Sequence, residues 1–267
     1  MISLRSIAWT LAFTTLSSAA QAMDNPVHMT VIQGWEQADG TRLAGIRLDL
    51  DEGWKTYWRA PGEAGIPPSF DFTRSRNLEG FQIEWPTPVV FDQGGTSTIG
   101  YKDFVIFPVV LTPIRDRRKI DLRGTIDIGV CKDVCLPVSL DLDADITANV
   151  TDRDPALAAA MASLPFAPTE VGVSRAACDL SPKDGGFLLS TSVTMPPAGN
   201  TEFTIFESSD PDHWLTETKS QRSGDTLVSS GSLSSMSGMT LSINRSDIRI
   251  TVLGSDYAVD IQGCVGG

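Results

Sequence analysis

The sequence predicts an all-β fold, with an immunoglobulin-like β-sandwich followed by a second, smaller β domain. Alternating apolar and polar residues indicate half-buried strands, as where Ile46, Leu48 and Leu50 alternate with charged residues. About seven short segments of this kind precede residue 150, separated by turns rich in Gly and Pro, which is typical of a sandwich. Similar segments resume at about Val171, after one Ala-rich stretch.

Turn residues mark the limits of the individual strands. Asp51-Glu52-Gly53 turns the chain, and residues 61–68 form a loop whose prolines and glycines cannot be helical. In the first domain the predicted strands are residues 43–50, 54–59, 81–85, 104–111, 120–130 and 138–146. In the second domain they are residues 187–193, 201–207, 226–230 and 248–253.

A single helix is predicted between the two sets of strands. Asp154 is a suitable N-cap, Pro155 suits the first helical position, and residues 156–164 are rich in alanine. Pro165 and Pro168 end the helix. We therefore divide the chain into a signal peptide at 1–22, an immunoglobulin-like domain at 23–150, a helical linker at 151–168 and a second β domain at 169–267.

The N-terminus has the features of a secretory signal peptide. Arg5 provides a positive charge, residues 7–16 are mostly apolar, and Ala20-Gln21-Ala22 forms an A-x-A cleavage site. The apolar stretch is shorter than the ~20 residues that a membrane-spanning helix needs. We expect cleavage before Met23 and export to an oxidising compartment such as the periplasm, with no part embedded in the membrane.

The charge of the chain limits its partners. The sequence has 33 acidic and 21 basic residues, a formal net charge of −12. Nucleic acids and anionic lipid surfaces both require a basic binding surface. We therefore expect no nucleic-acid partner, and we interpret the acidic balance as favouring solubility.

Four cysteines follow the predicted cleavage site, at positions 131, 135, 178 and 264. We expect the two close cysteines to pair with each other and the two distant ones to do the same. Closing the ~87-residue loop between Cys178 and Cys264 should stabilise the fold by about 4–5 kcal/mol, whereas the ~5-residue loop between Cys131 and Cys135 should contribute about 2 kcal/mol. The distant pair is thus the predicted structural disulfide, and the close pair requires a reason other than stability.

The strand pattern around the close pair predicts its surroundings. Ile128 and Val130 belong to the alternating residues that should face the core. Cys131 and Cys135 belong to the other alternating set and should face away from it. If residues 132–134 form a three-residue hairpin loop, the two cysteines face each other at a distance that a disulfide can close. Such a disulfide should be strained, accessible and easily reduced.

Other roles for the close pair remain open at this point. Zinc requires four ligands, and neither His28 nor His213 lies near the pair in sequence. Two thiolates are suitable ligands for copper(I), and a purely structural hairpin disulfide is a further alternative. A cysteine hydrolase is disfavoured because no histidine is placed in the sequence as its base. We predict no cofactor and no resident metal.

Four long motifs of the chain are similar to one protein family. They are GWKTYWR at 53–59, PGEAGIPP at 61–68, IGYKD at 99–103 and GVCKDVCLP at 129–137. The family is the N-terminal periplasmic domain of the transmembrane thiol:disulfide interchange proteins DsbD and ScsB, the second of which is tied to copper tolerance. The resemblance extends from about residue 28 to residue 264 and is closer to the ScsB branch.

The resemblance implies an immunoglobulin-like redox domain that takes electrons from a membrane carrier and passes them to periplasmic thioredoxin-fold proteins. Cys131 and Cys135 fall at the redox pair of the family. Tyr57 falls near a tyrosine that lines this site, and Asp92 falls near an acidic residue of the cap region. Gly94-Gly95 stand where the DsbD cap has an aromatic residue, and the membrane-spanning and thioredoxin domains have no counterpart in this sequence.

We therefore predict a free-standing periplasmic thiol:disulfide oxidoreductase, similar to protein-disulfide reductases, that exchanges through Cys131 and Cys135. Asp92 is a candidate for proton transfer, and Pro137 indicates that Cys135 is less accessible than Cys131. The sequence assigns neither the attacking cysteine nor the direction of electron flow. The alternative function is a non-catalytic periplasmic binding module or a copper-handling protein.

Overall fold

The computed structural model describes residues 25–93, 96–183, 185–216, 218–238 and 241–267. The predicted signal peptide and the Gly94-Gly95 pair lie outside these ranges. Among the described residues, no helix combines the length and apolar character that crossing a membrane requires.

The first ten strands form two antiparallel sheets that pack as an immunoglobulin-like sandwich. They are β1 (Val27–Glu36), β2 (Arg42–Leu50), β3 (Lys55–Tyr57), β4 (Ser69–Asp71), β5 (Leu78–Ile83), β6 (Val89–Gln93), β7 (Thr96–Lys102), β8 (Phe104–Pro113), β9 (Ile120–Cys131) and β10 (Cys135–Ile146). One sheet has the order β1-β2-β8-β5. The other has the order β10-β9-β3-β7-β6, with β4 paired to β9, so that β10 is an edge strand.

The alternation seen in the sequence builds the interior of this sandwich. Ile46 and Leu48 of β2, Phe107 and Leu111 of β8, and Ile126 of β9 are all fully buried in one cluster. Apolar area removed from water in this way is the main stabilising contribution to such a fold. The predicted immunoglobulin-like sandwich is therefore confirmed.

The second half of the chain forms a second β domain with its own core. Its strands are β11 (Arg175–Lys183), β12 (Gly186–Thr194), β13 (Glu202–Ser208), β14 (His213–Leu215), β15 (Lys219–Ser223), β16 (Thr226–Ser235), β17 (Ile248–Gly254), β18 (Ala258–Gln262) and β19 (Val265–Gly266). One sheet has the order β14-β16-β12-β11-β19, with β15 on β16, and the other has the order β13-β17-β18. Leu189, Phe206 and Ile250 are buried between these sheets.

The predicted helix is present as α1 (Pro155–Ala162), and two short 3-10 helices lie at Pro168–Glu170 and Arg245–Asp247. The Asp154 side chain accepts hydrogen bonds from the first free backbone N–H groups of α1, as expected of an N-cap. The buried side chain of Leu157 packs on the sandwich rather than facing solvent. The helix is thus attached to the first domain and is not a free linker.

The two domains meet in a packed junction. Ile205, Leu253 and Ala258 of the second domain belong to the same buried cluster as the interior of the sandwich. Just after the helix, the Phe166 backbone N–H donates to the Ala258 carbonyl at 2.8 Å. We propose 23–150 and 169–267 as the two domains, since the connecting segment 151–168 contacts the first domain at its start and the second at its end.

Candidate functional site

The two close cysteines lie at the tip of the β9–β10 hairpin. Cys131 is the last residue of β9, Cys135 is the first residue of β10, and the two are direct cross-strand partners. Their side chains form a disulfide, with the Cα atoms 4.1 Å apart. The Lys132 N–H donates to the Val134 carbonyl at 3.2 Å and closes the loop. The predicted three-residue loop and the predicted pairing are both confirmed.

The two sulfur-bearing residues differ in exposure. Cys131 is 0% exposed, whereas Cys135 is exposed. The sequence-based expectation that Cys135 is the less accessible of the two is therefore wrong. The reason is the position of the strands: β9 lies between β10 and β3 in its sheet, while β10 is the edge strand in the part of the chain that the structure describes.

Tyr57 holds the buried sulfur. Its hydroxyl donates to Cys131 Sγ at 2.8 Å and lies 3.4 Å from Cys135 Sγ. The Tyr57 side chain is fully buried, and this burial raises the pKa of the phenol above its ordinary value of 10.0. The hydroxyl consequently remains a hydrogen-bond donor at neutral pH. The structure brings Tyr57 and the two cysteines together, as the resemblance implied.

A loop covers the outer face of β9 next to the disulfide. Ile66, in the loop at residues 61–68, packs on Gly129, where a Cβ atom would lie 2.6 Å from the Ile66 Cβ. A Cβ at Gly65 would lie 2.9 Å from the Tyr57 ring. Close packing therefore requires glycine at both positions. The loop covers the face of β9 that points away from the sandwich interior, and this face is buried as a result.

Lys55 is a residue of this region that the sequence interpretation missed. It is the cross-strand partner of Cys131 on β3. Its ammonium group donates to Thr98 Oγ1 at 3.2 Å and lies 4.8 Å from the centre of the Phe91 ring. Partial burial lowers its pKa below the ordinary value of 10.5. The sequence did contain a signal for this placement: Lys55 is two residues from Tyr57, and residues i and i+2 of a strand have side chains on the same face.

Asp92 is exposed on β6, opposite Ser97 of β7. Strand alternation directs its side chain to the face opposite to that of Phe91, whose ring contacts Lys55. The structure therefore groups Phe91 rather than Asp92 with the residues that face the disulfide. The suggested role of Asp92 in proton transfer remains a prediction.

Comparison with known proteins relates the first domain to one protein family. Residues 28–145 match the family model described as thiol:disulfide interchange protein DsbD, N-terminal. The first domain belongs to this family. The whole structure is similar to the N-terminal periplasmic domain of ScsB from Proteus mirabilis, with a TM-score of 0.65 and 22% sequence identity over 90% of this chain and 92% of that one. This likeness shows a shared fold. No match to a curated protein was found.

The second disulfide of the protein joins Cys178 and Cys264, as predicted. Cys178 is buried in β11, and Cys264 is half-buried immediately before β19. Strand β19 pairs in parallel with β11, so the disulfide and the strand pairing tie down the same end of the chain. The two disulfides thus differ in setting: one closes a hairpin tip, and the other fastens the last strand to a sheet.

Graded reduction should separate the two disulfides of the protein. We expect dithiothreitol to make Cys131 and Cys135 alkylatable well before Cys178 and Cys264, because Cys135 is an exposed sulfur of a short loop and the distant pair is partly buried. Alkylation after acid quenching, followed by peptide mass spectrometry, measures the order. Simultaneous reduction of the two pairs would contradict this expectation.

Proposed function

We propose that this protein exchanges thiols and disulfides with periplasmic thioredoxin-fold proteins through Cys131 and Cys135. The observation that carries this proposal is the asymmetry of the disulfide, since Cys135 is exposed while Cys131 is buried against the Tyr57 hydroxyl. Membership of the first domain in the DsbD family supports the same chemistry. The predicted signal peptide and the similarity to a periplasmic ScsB domain support a periplasmic location.

The asymmetry supports a defined order of steps. A partner thiolate attacks the exposed Cys135 Sγ, the Cys131–Cys135 bond breaks, and its electron pair stays on Cys131 Sγ as a thiolate. The Tyr57 hydroxyl donates to that sulfur and stabilises the negative charge that develops on it. Cys131 is therefore the proposed leaving group and Cys135 the proposed point of attack.

The mixed disulfide that results is resolved from the partner's side. A second partner thiolate attacks the partner sulfur, forms the partner's disulfide and releases Cys135 as a thiolate. With proton uptake from water by both sulfurs, two electrons and two protons have passed to this protein. The reverse sequence reduces a partner disulfide: Cys135 attacks first, and Cys131 then resolves the mixed disulfide. A membrane electron carrier and a soluble thioredoxin-fold protein are the proposed partners on the two sides.

Apolar residues around Cys135 support docking of such a partner. Val134 is 59% exposed and Ile66 is 37% exposed. Pro137, two residues beyond Cys135, is also exposed. A partner that covers these side chains removes water from around the reacting sulfurs, which strengthens the hydrogen bond from Tyr57 during the exchange.

A trapping experiment tests the proposed function. Cys131→Ser keeps the exposed thiol and lacks the resolving one, so we expect it to accumulate a mixed disulfide with a periplasmic thioredoxin-fold protein. Cys135→Ser keeps only the buried thiol and should trap far less. Non-reducing electrophoresis of acid-quenched periplasmic extract, with mass spectrometry of the adducts, measures both variants side by side.

The matched pair of variants also decides the assignment of roles. Stronger trapping by Cys135→Ser than by Cys131→Ser would reverse the proposed roles of the two cysteines. If neither variant traps a thioredoxin-fold protein, the exchange function is rejected, and a non-catalytic binding module becomes the better description.

A further inference from the structure

Arg59, two residues after Tyr57 in the chain, joins the two domains. Its Nε donates to Glu207 Oε1 at 2.9 Å, and its Nη2 lies 3.2 Å from Asp260 Oδ2. The guanidinium also stacks on Trp58, 3.8 Å from the centre of that ring. Both carboxylates belong to the second domain, whereas Arg59 and Trp58 belong to the first.

The geometry of this contact fixes the backbone at Arg59. A second hydrogen bond, from Nη2 to Glu207 Oε2 at 3.0 Å, makes the pairing with Glu207 bidentate, which restricts the orientation of both side chains. The Arg59 side chain is only 11% exposed, so the pair is poorly screened by solvent. Removing Arg59 leaves the mostly buried Glu207 carboxylate without its bidentate partner, which is a costly change for the residues packed around it.

The fixed residue is close along the chain to Tyr57, which contacts the disulfide. Tyr57, whose hydroxyl contacts Cys131 Sγ, precedes Arg59 by two residues, and the buried Trp58 lies between them. The loop that covers β9, residues 61–68, begins two residues after Arg59 and reaches Gly129 through Ile66. The end of β3 and the start of the covering loop are therefore held by the second domain.

We infer that Arg59 is a positioning residue, through which the second domain holds the Tyr57 hydroxyl against Cys131 Sγ and so sets the reactivity of the disulfide. This inference rests on the proposed function of the Cys131–Cys135 pair. It gives the second domain, which lacks that pair, a role in the exchange reaction. Release of the Arg59 contact lets β3 shift, and the leaving thiolate then loses part of its stabilisation.

A double-mutant cycle tests the inference, with the rate constant for reduction of Cys131–Cys135 by dithiothreitol as the readout. We expect Arg59→Met to slow this reduction by roughly 3- to 30-fold, the range that coupling through packed networks usually gives. In the Tyr57→Phe background the same substitution should have no further effect, because Arg59 acts through the hydroxyl that is already absent. Glu207→Gln, a smaller change to the same contact, should follow Arg59→Met in both backgrounds.

A matched control comes from a second arginine–glutamate pair that lies wholly within the second domain. Arg222 Nε and Nη2 each bond a Glu202 carboxylate oxygen at 2.6 Å. Arg222→Met should destabilise that domain and leave the reduction rate of Cys131–Cys135 unchanged. The inference is overturned if Arg222→Met slows reduction as much as Arg59→Met, or if Arg59→Met and Glu207→Gln keep their full effects without Tyr57. Because dithiothreitol needs no protein partner, these results are independent of whether the trapping experiment finds one.

Discussion

Replacing Cys178 with alanine should lower the melting temperature of this protein far more than replacing Cys131 with alanine. The disulfide from Cys178 to Cys264 closes a long loop, and its loss should cost about 4–5 kcal/mol, against about 2 kcal/mol for the hairpin disulfide. For a domain of the size of the second one, a loss of about 4–5 kcal/mol in the free energy of unfolding corresponds to a fall in the melting temperature on the order of 20 °C. The structure adds a local reason, because the disulfide also fastens β19 to β11.

Thermal unfolding followed by circular dichroism measures this difference. Cys264→Ala is the matched control and should reproduce the effect of Cys178→Ala, since each removes the same disulfide. If Cys178→Ala and Cys131→Ala lowered the melting temperature equally, the hairpin disulfide would be structural, contrary to the proposed function.

Removing the Tyr57 hydroxyl should slow the reduction of the Cys131–Cys135 disulfide by small thiols. In Tyr57→Phe the leaving Cys131 thiolate lacks the donor that lies 2.8 Å from its sulfur. Hydrogen bonds to charged groups are strong enough that we expect a loss of roughly 10- to 100-fold in the rate constant. Stopped-flow measurement of dithiothreitol reduction, at a temperature where both proteins are fully folded, provides the value.

Tyr101→Phe is the control for this substitution. Tyr101 is a buried tyrosine of the same sheet, and its hydroxyl donates to the Pro86 carbonyl at 2.8 Å. Its loss should affect stability without slowing reduction. An equal slowing in the two variants would remove Tyr57 from the proposed mechanism.

The contribution of Tyr57 should also be independent of pH in the neutral range. Burial raises the pKa of its phenol, so the donor is protonated wherever the pH lies well below that value. The ratio of the wild-type rate to the Tyr57→Phe rate should therefore stay constant between about pH 7 and pH 9, where an ordinary phenol is also protonated. A ratio that declines across this range would show that the phenol ionises there, contrary to the raised pKa that its burial predicts.

Local patterns in the sequence determined much of this molecule. Alternating residues placed β2, β8, β9 and β10 within a few residues of their observed ends. The hairpin loop between Cys131 and Cys135 followed from the parity of the flanking residues, and both disulfide pairings followed from sequence separation. Each of these features depends on neighbours along the chain or on loop length, which a sequence contains directly.

Contacts between distant segments decided the rest. Alternation shows that Cys131 faces away from the sandwich interior, but it does not show that Tyr57 and the loop bearing Ile66 bury that face. The order of exposure of the two cysteines was consequently predicted wrongly. The pairing of Arg59 with Glu207 joins residues 148 positions apart, and no local pattern encodes it. The pairing of the two close cysteines was thus readable from the sequence. The burial of Cys131 and the exposure of Cys135 arose only when the covering loop and β3 packed against β9.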